Sequence, residues 1–133
     1  MKTFLFGIAV AGFAAASTAC SNLGAPDQSV ILGVTKLDAP ATIIAGNPLT
    51  VTLTVEIDGC SGFDHLEVGR GASGASIRAW GRDASIGRSE VVCPSIIKYE
   101  PHSHTFEPPF PSSFTVQVPR GRLSPLTATV QVQ

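Results

Sequence analysis

The sequence predicts an all-β chain folded as a two-sheet antiparallel sandwich of about seven to nine strands, and two observations carry that prediction. Several segments alternate apolar and polar residues with a period of two, which puts one set of side chains on a dry face and the other on a wet one. Beyond residue 20, no window of helical length carries an apolar stripe at i, i+3 and i+4.

The strands follow in order, each bounded by turn residues. Segments 30–37 and 42–45 run up to Gly46-Asn47-Pro48, a turn signal. In 49–57 the apolar set is Leu49, Val51, Leu53, Val55 and Ile57, against Thr50, Thr52, Thr54 and Glu56, and Asp58-Gly59 closes it. Segments 63–68 and 76–80 are separated by the glycine-rich stretch 69–74, and 81–83 ends the second. Segments 96–100 and 103–106 precede the rigid Pro108-Pro109-Phe110-Pro111. In 114–118 the buried set is Phe114, Val116 and Val118. After Arg120-Gly121, segment 127–133 buries Ala128, Val130 and Val132.

Composition limits the function classes. The chain has 133 residues, 44% hydrophobic and 14% charged, which leaves room for one domain with a core and argues against disorder. Formal charge is -1, and loss of Lys2 with the N-terminal segment would leave 8 basic residues against 10 acidic ones. The basic excess of a nucleic-acid-binding protein is missing, so no nucleic-acid partner is expected.

The N-terminus has the anatomy of a secretory signal peptide: Met1-Lys2, an apolar run over 4–16, then the small residues Ser17-Thr18-Ala19 before Cys20. The run is shorter than the ~20 residues of a membrane-spanning helix. Ser17-Thr18-Ala19-Cys20 resembles the lipobox of bacterial lipoproteins, with Ser17 where that family prefers Leu. The resemblance implies a signal peptide over 1–19 and a covalent lipid on Cys20. It further implies a tether over 20–29, a domain over 30–133, and attachment to the bacterial cell membrane or outer membrane, facing periplasm or exterior. Ser21 and Asn22, with no Asp after the Cys, resemble outer-membrane lipoproteins. Ordinary cleavage after Ala19 is the alternative, and it would release a secreted inhibitor or adhesin-type module without lipid.

Three cysteines in an exported chain leave one over. With Cys20 acylated, Cys60 and Cys93 form the natural pair, a structural disulfide of an oxidising compartment.

The order of elements resembles the immunoglobulin-like domains of bacterial surface proteins: a kinked first strand over 30–45, Ala45-Gly46-Asn47-Pro48-Leu49 leading into an alternating strand, and a closing hairpin ending Val130-Gln131-Val132. Trp80 lies between the two cysteines, as in antibody-type domains, but the cysteines stand about half as far apart and Cys60 follows its strand in a turn. The expectation is a loop-to-strand or edge bridge, with Trp80 in the core or between the sheets.

No catalytic motif stands up. Ser95-Ile96-Ile97-Lys98 matches S-x-x-K, but residues three apart on a strand face opposite ways, and the companion motifs are missing. Metal binding is the sharper alternative. Glu100, His102 and His104 are spaced by two, so on a strand they project from one face at roughly 6.5 to 7 Å intervals, with His65 as a further candidate ligand. Charge is uneven along the chain: 20–69 carries six acids against Lys36, while 70–133 carries seven bases against four acids. Arg70, Arg78 and Arg82 could grip an anionic glycan, a lipid phosphate or a carboxylate-rich envelope partner, and Phe110 could anchor a partner or cap the end of the sandwich core. Interleaved strands would instead neutralise the two signs on one surface. Taken together, the sequence reads as a non-catalytic, lipid-anchored envelope protein that binds the membrane surface through its anchor and acts as a binding or structural module without a bound cofactor. A periplasmic metal-binding protein using His102 and His104 is the alternative.

Overall fold

The structure, a computed structural model, describes residues 27–133. The signal-peptide and Cys20 expectations lie outside the described residues. Nine strands follow in chain order: β1 (Gln28–Ile31), β2 (Gly33–Asp38), β3 (Thr42–Ile43), β4 (Leu49–Ile57), β5 (Ser61–Arg70), β6 (Gly74–Asp83), β7 (Lys98–Phe106), β8 (Ser113–Arg120) and β9 (Leu123–Val132). They form two sheets. The smaller is β2-β4-β7; the larger is built around β6.

One edge of β6 carries β5 along its length. The other edge is shared, with β1 antiparallel at residues 80–83 and β8 parallel at 74–76. Beyond β8 come β9 and, parallel to it, the short β3. The sheets are therefore not purely antiparallel as the sequence suggests. Between β6 and β8 the chain makes a single pass, β7, in the opposite sheet, so β8 returns in the direction of β6.

The alternating patterns do what their periodicity demands. Leu49, Val51, Leu53, Val55 and Ile57 all point inward from β4, and Phe114, Val116, Val118 and Val130 meet them from the facing sheet, while no polar side chain is fully buried among the described residues. Segment 30–37 is not one strand. It changes sheets at Leu32, whose N–H donates to Ala79 O at 2.9 Å before β2 departs to pair with β4. The two segments expected over 96–106 are one strand running through Pro101. This is allowed because β7 is an edge strand, pairing on one side only.

The disulfide joins Cys60 to Cys93 with Cα atoms 5.0 Å apart. It ties the turn after β4 to the 84–97 loop, a loop-to-loop bridge in place of the expected loop-to-strand or edge bridge.

Candidate functional site

Each candidate side chain is placed by the strand alternation around it. On β6, Ala75, Ile77, Ala79 and Gly81 face the core. Residues of the other parity, Arg78, Trp80 and Arg82, therefore stand on the outer face. Trp80 is thus not the core or inter-sheet residue that its position between the cysteines suggested. The core beneath it is filled by small residues and by Leu32, which leaves no space over Gly81 even for a Cβ. An indole would not fit there.

Around Trp80 the outer face is ordered across three strands. His65 of β5 and Ile31 of β1 are its register partners on either side. The His65 ring lies nearly parallel to the indole, with centroids 6.4 Å apart. Trp80 Nε1 donates to Glu67 Oε2 at 2.8 Å. Arg78 pairs with Glu67 at 3.7 Å, and Arg82 with Asp64 at 3.5 Å. The Trp80 hydrogen bond and the nearby Arg78 guanidinium hold the Glu67 carboxyl below its ordinary pKa. The His65 hydrogen bond and Arg82 lower that of Asp64.

These pairs, with Arg88 and Asp27 at 3.6 Å, join acids of the first half of the chain to arginines of the second. The uneven charge along the sequence is thereby interleaved on the folded surface.

The apolar row continues past Ile31 into a cleft of about 580 Å³ between the β1–β2 junction and the β8–β9 turn. Ile31, Val34, Pro119 and Leu123 line it, with Glu56 and Arg120 as its charged groups. It opens where β1 leaves the larger sheet for the smaller, a sheet change the sequence pattern does not announce.

The other candidates lie elsewhere. Arg70 sits at the far end of the β5–β6 hairpin, its guanidinium 4.8 Å from the Phe110 centroid and its Nη2 donating to Pro109 O at 2.6 Å. Nη1 donates to Glu107 O. Phe110 packs edge-on against Phe114 at 5.2 Å. Both residues close one end of the core and stand apart from Arg78 and Arg82.

Glu100, His102 and His104 do share a face of β7, and it is the inner one, in register with Val55, Leu53 and Val51. His102 stacks on Phe63 with centroids 3.5 Å apart. Its buried Nε2 lies 3.4 Å from Glu100 Oε2 yet forms no hydrogen bond. His104 turns to Phe106, 4.6 Å between centroids, and His65 is on the opposite face of the other sheet. Among the described residues, no three His, Cys, Asp or Glu side chains form a group that could hold a metal ion. Ser95 lies in the 84–97 loop and Lys98 opens β7, so no helical turn brings the two together.

The site that the structure assembles is therefore the outer-face row His65–Trp80–Ile31 with its flanking ion pairs and the cleft beyond. Comparison with known proteins finds no family model, no curated protein and no solved structure that matches this chain.

Proposed function

We propose that the chain is a non-catalytic, lipid-anchored protein of the bacterial cell envelope that binds an envelope protein through the outer face of its larger sheet. The observation that carries this reading is Trp80. A single tryptophan on an outward face, between apolar Ile31 and the flat His65 ring, gives an apolar centre. Arg78–Glu67 and Arg82–Asp64 give it a charged rim. That is the anatomy of a protein–protein contact, in which Trp and Arg carry a large share of the energy. The charges on this face balance, which favours a protein partner of mixed charge over a polyanionic glycan.

The immunoglobulin-like reading of the sandwich draws support from the sheet change at Leu32, from β4 lying between β2 and β7, and from β3 running parallel beside β9. The disulfide agrees with an oxidising compartment. The lipid anchor rests on the residues before Cys20.

Intact mass of the protein from its native membrane fraction tests the anchor. The expected mass begins at Cys20, carries acyl chains and lacks the two hydrogens of the disulfide, and Cys20→Ala releases the protein from the membrane. A chain beginning at Cys20 without acyl groups would make it a secreted module.

A further inference from the structure

One end of the sandwich is unlike the rest of the surface. Here β1 begins, β6 ends and the 84–97 loop crosses to β7. Five of the eight exposed large apolar side chains among the described residues lie between residues 86 and 99. Val92 is 90% exposed, Ile97 58% and Ile96 54%, and Tyr99 beside them is 59% exposed. Patches of this kind mark contacts with protein or membrane.

The loop is held out rather than free to fold back. Cys93 is bonded to Cys60, Ile96 N–H donates to Pro94 O at 2.8 Å, and the Pro94 carbonyl sits so close over Gly59 that a Cβ there would collide with it. The same loop grips the start of the described chain. Gly87, at φ +75°, turns the backbone so that Arg88 reaches Asp27 at 3.6 Å. From Asp27, the residues back to Cys20 span at most about 24 Å when fully extended.

We infer that the apolar tip of the 84–97 loop, led by Val92, Ile96 and Ile97, inserts into the headgroup–acyl boundary of the bilayer beside the lipid anchor and orients the domain on the membrane. The inference rests on the proposed acylation of Cys20. A short tether leaving from the loop itself brings this end, and not the Ala72 hairpin turn, to the lipid surface. Tyr99 and Lys98 flank the apolar residues as interfacial side chains do, ring and ammonium at headgroup level. Charge does not drive the contact, because residues 91–97 at the apolar tip carry no charged side chain. The seat therefore works on a zwitterionic surface and resists salt. It stands the strands away from the membrane and leaves the Trp80 face open to a neighbour.

The test uses the full protein purified in acylated form and reconstituted into phosphatidylcholine vesicles, with a nitroxide on Val92→Cys or, at the opposite end, on Ala72→Cys. Both positions are exposed, so neither label disturbs the core. The expected result is that the label at 92 loses access to a water-soluble nickel chelate and gains access to oxygen, while the label at 72 stays aqueous. Equal aqueous access at both positions on vesicle-bound protein overturns the inference and leaves the anchor intact. A label at 92 shielded from both reagents means that protein covers the loop, and overturns it too. Protein that carries no acyl mass and does not float with vesicles fails the anchor itself, and the inference with it.

Discussion

The indole Nε1 of Trp80 donates to the Glu67 carboxylate at 2.8 Å across the β5–β6 pair, on the face turned away from the core. The bond fixes the ring of the one tryptophan in the chain and makes its fluorescence a reporter of Glu67. The charged carboxylate is the better acceptor, so the Trp80 bond, helped by Arg78, lowers the Glu67 pKa. A group lowered in this way stabilises the fold above its unfolded pKa of about 4.3 and loses that contribution as pH falls through the folded value. Trp80 emission is expected to change at a midpoint below the ordinary glutamate range. Glu67→Gln should remove that acid step, and an unchanged titration would detach the ring from Glu67.

Asp58 and Asp64 shift in the same direction, Asp58 through the Ser61 side chain and the Cys60 N–H, Asp64 through His65. Acid should therefore destabilise the domain progressively below about pH 4. Urea unfolding followed from pH 6 to pH 3 checks the sign, and a midpoint that rose on acidification would contradict it.

The Cys60–Cys93 bridge closes a loop of sequence separation 33. By loop-closure entropy its reduction is expected to cost roughly 3 to 4 kcal/mol, a large part of a small domain's stability. Denaturation with and without reductant measures this, and a reduced protein as stable as the oxidised one would remove the disulfide from the account.

Arg70 is a structural clamp, so its substitution should act on stability and leave binding alone. Arg70→Lys keeps the charge but cannot serve the Glu107 and Pro109 carbonyls together from a planar fork, and is expected to cost about 1 to 2 kcal/mol. Loss of partner binding at unchanged stability would instead move Arg70 into the contact face.

His102 offers the opposite case. Its Nε2 is buried without a hydrogen bond while its ring packs on Phe63, so His102→Leu exchanges an unsatisfied polar atom for an apolar one. The change is expected to be neutral within about 1 kcal/mol or stabilising. A large loss of stability, together with a stabilisation by Zn(II) that the native protein shows and His102→Leu lacks, would show that the imidazole holds a metal.

Much of the sandwich could be read from parity alone. The apolar sets of β4 and β8 were assigned to the core by alternation and lie within it, while of the β9 set Val130 is buried and Ala128 and Val132 are half-buried. The same rule held the answer for Trp80, which shares its parity with Arg78 and Arg82 against Ala75, Ile77 and Ala79. The analogy with a tryptophan between two cysteines pointed the other way, and the local pattern prevailed. The inward turn of Glu100, His102 and His104 had no such signal. An edge strand half covered by Phe63 tolerates polar side chains inside, so their period of two fits either face. The sheet change at Leu32 and the parallel β6–β8 pair depend on contacts far apart in sequence, which no local window contains.

The central claim is that Trp80 and its neighbours form a contact face for another envelope protein, and a photo-crosslinking residue at Ile31, used in intact cells, tests it most directly. Ile31 is exposed and in register with Trp80. The account predicts one discrete crosslinked species that disappears in Trp80→Ala, while the amount of protein and its disulfide are unchanged. Truncating a central tryptophan typically costs an interface about 2 kcal/mol or more, enough to weaken it by well over tenfold. No crosslink from position 31, or one that persists undiminished in Trp80→Ala, would contradict the account.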